Sequence, residues 1–487
     1  MKRFVISAVL LALGAALTLA INPKREFRGA WMHTVFQDHY LKRTTAQNKE
    51  YLREQLDRLQ EAGVNAVIFQ VRPQSDAFYE SRYEPWSRFL TNNGIAPAPK
   101  WDPLKFMIDE AHARGMELHA WLNPYRVTSS KKQVLPRSHI YHKHPEWFVR
   151  YDGKLYFDPA LPESREFITN VVMDIVERYD IDGIHFDDYF YPYPVKGIEF
   201  PDSKSYSKYG KGMKRDEWRR QNVDKLIENL HKKISQAKPW VVFGISPFGI
   251  WRNKSSDPRG SATAGLQNYD ALYADVLLWA EKGWVDYLMP QLYWDLEHKL
   301  ASYLTLVDWW NGNACGRNLY IGQDVAVTMK KPDIGNSCEA SQLRHKVNLT
   351  RAADNIQGNC WWPAYSVTDN TGGVADSLAI DLQATVAVPP AYPWISSHKP
   401  DAVKGLHHKA GKLMWEVNKP KNSADDAVKF VVYRFEPDDE IDLENSEAIE
   451  CITWRNEVPA EDPGVYVVTA LSRVNQESEP SKKIVVK

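Results

Sequence analysis

Between residues 27 and 385 the chain repeats one beat: a short apolar run, a polar loop, then apolar positions at helical spacing. The apolar runs are RGAWMHT (28–34), NAVIFQVRP (65–73), MELHAWLNP (116–124) and DGIHFDDY (182–189), followed by VVFGISP (241–247), VDYLMPQLYW (285–294), LYIGQDV (319–325) and IQGNCWWPAY (356–365). Between them, NKEYLREQLDRLQEAG sets Leu52, Leu56 and Leu59 on one face and stops at Gly63. DPLKFMIDEAHARG opens with Asp102 as N-cap and Pro103 at the first helical position. ESREFITNVVMDIVERYD offers Phe167, Val171, Val172 and Ile175 for burial. Eight strands alternating with helices predict a parallel α/β sheet, and eight is the number that closes a (β/α)8 TIM barrel. A doubly wound open sheet is the alternative; the lack of a glycine-rich phosphate loop after the first strand argues against it.

The beat ends in the proline-rich VPPAYPWISSHKP, and short alternating runs follow: KLMWEV, AVKFVVYRF, EAIECITW, GVYVVTALSRV and KKIVVK. These predict a small all-β sandwich. With Trp415, Tyr433 and Tyr466 so spaced, it resembles a fibronectin type III module. The expected organisation is an export signal at 1–20, the barrel at 24–387, a linker at 388–402 and the sandwich at 403–487. Lys2 and Arg3 precede the apolar FVISAVLLALGAALTLA, which reads as a cleaved signal peptide, short for a membrane anchor and without a lipobox cysteine. The expected location is therefore exported, periplasmic or extracellular, with no membrane span left after cleavage. Four cysteines match no zinc spacing, and Cys315 and Cys338 are a possible disulfide pair. A formal net charge of -1 provides no global field to recruit nucleic acid or anionic lipid. The 18 Trp and 24 Tyr change the picture more. Any single ring belongs first to the core, but the surplus suits stacking on sugar faces.

Alternate residues of a barrel strand point inward, and inward residues at the C-terminal ends form the site floor. In the fourth strand this parity puts His185 and Asp187 inside, with Ile184 and Phe186 toward the helices. The same register puts Trp31 and His33, Gln70 and Arg72, His119 and Asn123, Gln291 and Tyr293, and Trp362 at one end of the barrel, with Tyr189, Trp294 and Asp295 just beyond the strands. Carboxylates, amides, histidines and rings together suit a polysaccharide or oligosaccharide substrate, with no cofactor or metal called for. Glycoside cleavage uses two carboxyl groups. Asp187 is the first candidate; its partner is Asp295 or Asp188, with Asp295 equally readable as a loop cap and Glu26, Asp76 and Asp324 weaker. Long loops at 190–215 and 248–268 leave the same face.

REFRGAWMHT, FQVRPQSDAFY, HAWLNPYR, DGIHFDDYFYP, DEWRRQNVD, SPFGIWRN, GLQNYDALYAD and MPQLYWD, in that order, resemble the glycosyl hydrolase-like 10 family over roughly residues 24–385. The resemblance implies a (β/α)8 barrel with glycosidase activity in an exported protein, one branch being similar to enzymes that cut peptidoglycan glycan strands stripped of their peptides. The fourth strand also resembles, by analogy, the DGxDxDxE pattern of chitinase-type barrels. In that frame stand Asp182, His185, Asp187 and Tyr189, so the acid glutamate's place holds a tyrosine; Tyr293 and Asp295 resemble the sixth-strand tyrosine and acid. A substrate 2-acetamido group oriented by Asp187 would then replace an enzyme nucleophile. Two other classes compete: a non-catalytic glycan-binding protein, and a metal-dependent amidohydrolase using His33, His119 and His185, against which the first strand has WMHT rather than His-x-His.

Overall fold

A computed structural model describes residues 22–92, 94–334, 340–418 and 421–487. The expected signal segment and Cys338, half of the candidate disulfide, lie outside the described residues. The barrel strands are β1 (Phe27–Met32), β2 (Ala66–Arg72), β3 (Glu117–Leu122), β4 (Gly183–Phe186), β5 (Val242–Ile245), β6 (Tyr287–Leu288), β7 (Asn318–Leu319 with Ile321–Asp324) and β8 (Gly358–Trp362). All pair in parallel. Strand β7 is interrupted at Tyr320, so its first piece pairs with β6 and its second with β8. Tyr320 N–H to Leu288 O (3.0 Å), Gly322 N–H to Pro290 O (2.9 Å) and Leu292 N–H to Gly322 O (3.0 Å) carry the ladder across that break and close the ring.

The helices form where the apolar spacing predicts them. Helix α1 (Thr45–Glu61) opens with a reciprocal capping box between Thr44 and Gln47 and buries Leu52, Leu56 and Leu59. Helix α2 (Pro103–His112) is capped by Asp102, whose carboxylate accepts the Lys105 N–H at 3.0 Å. Helix α3 (Pro162–Arg178) buries Phe167, Val171, Val172 and Ile175. The barrel interior is packed by rings rather than aliphatic layers, and two glycines make room for them. A Cβ at Gly244 would sit 1.9 Å from Tyr287 Cζ, and one at Gly183 would sit 2.6 Å from His119 Nδ1.

The C-terminal strands form two antiparallel sheets. One contains β9 (Lys404–Lys409), β10 (Lys412–Glu416) and β13 (Glu457–Pro459); the other contains β11 (Ala427–Phe435), β12 (Ile449–Thr453), β14 (Gly464–Ser472) and β15 (Ile484–Val486). Leu413, Trp415, Phe430, Val432 and Val468 fill the space between them. The outer face of the second sheet covers the N-terminal end of the barrel. Trp454 stacks on His112 at 4.5 Å, and Arg473 pairs with Asp180 at 3.1 Å. Residues 388–402 run along the same end, with Val388 N–H to Lys24 O at 2.8 Å and Trp394 Nε1–H to Asp286 Oδ1 at 2.9 Å.

At the centre of this contact Lys429 Nζ donates to Glu117 Oε1 at 2.6 Å, joined by Asn475 Nδ2–H at 3.0 Å. Both charges are buried. Burial alone would raise the Glu117 carboxyl; the Lys429 ammonium and His119 reverse this and hold it below the usual carboxylate range. A buried pair of this kind is costly to break from one side. Lys429→Met should therefore destabilise the protein by roughly 3–5 kcal/mol, read as a lower calorimetric unfolding temperature. The double change Glu117→Gln with Lys429→Met should recover most of that loss. Equal melting of single variant and native protein would show that the pair does not hold the two parts together.

Candidate active site

Four side chains connect through the barrel axis. Trp31 Nε1–H can only donate, so His185 Nε2 accepts it at 3.1 Å and Nδ1 carries the ring proton toward Tyr287 Oη, 2.9 Å away. Tyr287 O–H then donates to His119 Nδ1 at 2.9 Å, which leaves His119 Nε2–H facing Glu117, with Nε2 3.5 Å from Glu117 Oε2. Burial, with His119 nearby, holds His185 well below the ordinary histidine range, so it stays neutral. His119 and His185 thus lie beneath the site and support it; they do not line it.

Above them opens a cavity of about 340 Å³, within the range of sites for small molecules and single sugar units. Asp187 and Asp188 form one wall, and Trp31, His33, Gln70, Tyr189, Gln291, Tyr293 and Trp362 complete much of the rest. Trp121, Arg126, Tyr193 and Ser246 also line it. Trp121 shares the inward parity of His119 and Asn123, and Ser246 that of Val242 and Gly244, so both were open to the register argument. Arg126 and Tyr193 come from loops, where parity carries no information.

Asp187 is buried and well supplied with donors. Asn123 Nδ2 stands 3.1 and 3.0 Å from its two oxygens, Trp121 Nε1–H donates at 3.2 Å and the Tyr189 N–H at 3.4 Å. Asn123 is itself fixed from below: Arg72 donates to the carbonyls of Asn123 and Pro124 while its other edge forks onto Glu84 at 2.6 and 2.7 Å. Arg72 therefore positions the site from underneath. Asp188 accepts the Tyr193 hydroxyl and, at 3.4 Å, Gln291 Nε2, which Ser246 holds by its carbonyl and hydroxyl at 3.1 Å each.

Burial is the largest influence on both carboxyls. It acts with the neighbouring Asp188 charge to push Asp187 up to about 7, against Arg126 and the Tyr189 and Trp121 donors. Asp188 is also raised by burial, against Tyr193 and Gln291. The two titrate as a pair that keeps a proton close to neutral pH.

The remaining candidates lie elsewhere. Asp295 does not line the cavity; its Oδ2 lies 3.4 Å from Lys331 Nζ and its carbonyl accepts the His298 N–H. Trp294 packs edge-on against Phe248 at 5.5 Å, outside the lining. His33 is in the wall beside Trp362, with Gln37 Nε2 2.6 Å from its Nε2, and burial lowers it to about 4. His33, His119 and His185 do not converge, and no group of three or more His, Cys, Asp or Glu among the described residues stands at metal-ligand spacing. Glu26 is tied to Arg28 and Arg351, and Asp324 caps a helix at Val327.

A carboxyl that holds its proton near neutrality, a second carboxyl beside it and a cleft walled by rings are what glycosidic cleavage asks of a protein; the molecule is a glycoside hydrolase of the barrel class. Its family follows from sequence. Residues 26–334 match the model of the glycosyl hydrolase-like 10 family, and the chain belongs to that family. It is 37% identical over 504 positions to "Glycosyl hydrolase YngK" of Bacillus subtilis (strain 168), spanning 99% of this chain and 98% of that one. It is 39% identical over 322 positions to "Glycosyl hydrolase DigH" of Escherichia coli (strain K12), spanning 63% of this chain and 73% of the relative. Among solved structures, the PgaB (BpsB) glycoside hydrolase domain from Bordetella bronchiseptica is similar at 14% identity with a TM-score of 0.48, over 73% of this chain and 99% of that domain.

The raised Asp187 value makes a stability prediction independent of activity. An ordinary aspartate titrates near ~3.9, so the folded state binds this proton more tightly than the unfolded chain. The resulting penalty is full above about 7 and fades as pH falls through that value. Asp187→Asn should therefore be more stable than the native protein at pH 8 in denaturant titrations, and the advantage should narrow at pH 5. A pH-independent difference would show that the carboxyl is not shifted.

Proposed function

We propose that the protein hydrolyses the glycan of an amino-sugar polymer, peptidoglycan strands stripped of their peptides being the substrate, and that the 2-acetamido group of the substrate takes part. The observation carrying this reading is that the cavity's carboxyls are two consecutive residues on one wall, with no third carboxylate among the described lining residues. Enzymes that use a carboxylate nucleophile or an activated water place their two carboxyls across the scissile bond. A pair presented side by side suits a different division of labour. One carboxyl protonates the leaving oxygen, and the other accepts the acetamido N–H and aligns its carbonyl oxygen with the anomeric carbon.

Asp187 is the acid in this reading, because burial and its neighbour keep it protonated up to about 7. Its proton passes to the glycosidic oxygen as the C1–O bond breaks and the acetamido oxygen bonds to C1. Ionised Asp188, steadied by Tyr193 and Gln291, balances the charge developing on the acetamido nitrogen. Water then adds at C1, returns a proton to Asp187 and releases the acetamido oxygen, so the product keeps the anomeric configuration. Trp31, Trp121 and Trp362 supply the apolar faces for the sugar ring. The basic n-region and apolar run at the N-terminus support an exported, cell-envelope location for this activity.

Asp187→Asn and Asp188→Asn should each lower hydrolysis of peptide-stripped glycan strands by about 10²–10⁴-fold, whereas Asp295→Asn should retain it. On an aryl glycoside with an acidic phenol as leaving group, the Asp187 variant should keep much of its rate and the Asp188 variant should not. The reverse pattern would exchange the roles. Inhibition by a thiazoline analogue of the cyclised sugar tests the acetamido step, and its absence would rule that step out. Tight strand binding with no product by mass spectrometry would make the protein a glycan-binding one instead.

A further inference from the structure

Arg126 is the sole arginine or lysine among the described residues that line the central cavity, and His33, lowered by burial to about 4, is neutral there at neutral pH. The arginine is half-buried and held from three directions. Its backbone bridges that of Tyr156 in antiparallel fashion. Its Nε–H and Nη2–H both donate to the Pro73 carbonyl, at 3.1 and 2.6 Å. Its guanidinium lies 5.0 Å from the centre of the Tyr189 ring, which lines the same cavity. One edge of the fork is thus spent on Pro73. The other edge, Nη1 with the second Nη2 hydrogen, has no acceptor among the described residues, and Nη1 keeps access to solvent. A guanidinium fixed in this way presents two parallel donors with little side-chain freedom left to lose.

The free edge is not explained by the aspartates. Arg126 is close enough to draw both Asp187 and Asp188 down against their burial, yet it forms no ion pair with any carboxylate among the described residues. An arginine serving only as counterion sits with its fork on the carboxylate, as Arg72 does on Glu84 and Arg219 on Asp202. A rigid, unpaired fork in a cleft is instead suited to an anionic group of the ligand. The polymer proposed above has such a group in one state only. Alternate sugars of peptidoglycan glycan bear a lactyl ether at O3, next to the 2-acetamido group on the ring. With the peptide attached, the lactyl carboxyl is an uncharged amide; with the peptide removed, it is a free carboxylate. Chitin has the acetamido group and no lactyl ether. A carboxylate entering beside ionised Asp188 would be repelled without a cation at this place.

We infer that Arg126 binds the lactyl carboxylate of the sugar whose acetamido group the aspartate pair holds, so that the site selects peptide-stripped strands over both peptide-bearing strands and chitin. The inference rests on the proposed amino-sugar glycosidase reading and names the residue that sets its substrate.

The test compares kcat/KM on peptide-stripped strands, on the same strands with their carboxyls methyl-esterified, and on a chitooligosaccharide of matched length. The native protein should prefer free-carboxylate strands to their esters by about 10–100-fold, the worth of hydrogen bonds to a charged group. Arg126→Gln should reduce that preference to within about twofold, and Arg126→Lys, which keeps the charge but not the fork, should lose a smaller part of it. Arg126 also acts on the aspartate pair, so absolute rates will change on all three substrates and the ratio is the readout. No preference in the native protein, or a preference that Arg126→Gln leaves unchanged, would overturn the inference while leaving the glycosidase reading intact. Failure of the native protein to cleave any of the three would sink that reading instead. Calorimetric binding then still decides Arg126: a preference for free carboxylates that Arg126→Gln removes upholds the inference, and equal binding of free and esterified strands overturns it.

Discussion

Two carboxyl groups on consecutive residues, both shut away from water, are the constraint on which the upper half of the molecule depends. Burial makes each resist ionising where it stands, and the Asp188 charge makes that of Asp187 more costly still. The structure tolerates this because donors surround them. Asn123, Trp121 and a backbone N–H serve Asp187; Tyr193 and Gln291 serve Asp188. Those donors need fixing in turn, which gives Arg72 its place beneath Asn123 and Ser246 its place behind Gln291. Residues two and three layers from the substrate are thereby committed to the same pair of oxygens.

The lower half of the barrel answers a different problem. Rings that fill the axis bring polar atoms with them, and each must be satisfied in a dry interior. The Trp31–His185–Tyr287–His119 chain meets that demand at three successive hydrogen bonds by passing each proton in one direction, and leaves only His119 Nε2 at its end to an ion-pair-range contact. It ends at Glu117, a charge that the barrel cannot balance alone. Lys429, from the C-terminal sandwich, supplies the counterion. The sandwich is therefore an electrostatic part of the barrel as much as a neighbour of it.

The architecture was readable from the chain because eight apolar runs with strict inward parity leave few closed arrangements. Parity also found the site residues that stand on strands, such as Trp31, Gln70 and Asp187. It had less to say where backbone leaves the strand: Asp295 and Trp294 follow β6 by several residues, the chain bends there, and neither side chain lines the cavity. It also could not rank depth, which is why His119, His185 and Arg72 read as lining although they lie below the floor. Arg126 and Tyr193 reach the cavity only through loop folding. The paired cap of Glu117 and Lys429, more than 300 residues apart, leaves no local signature at all.

The closed lower end fixes a direction. Asn22, where the described chain begins, is fastened there: its carbonyl accepts the Ser446 hydroxyl at 2.7 Å, and nearby Lys24 pairs with Glu477 at 2.8 Å. The point where preceding residues join and the sandwich are thus on one pole, and the ring-lined mouth is on the other. Whatever enters that mouth meets neither of them, so the molecule has the form of a one-ended cup whose handle is always behind it.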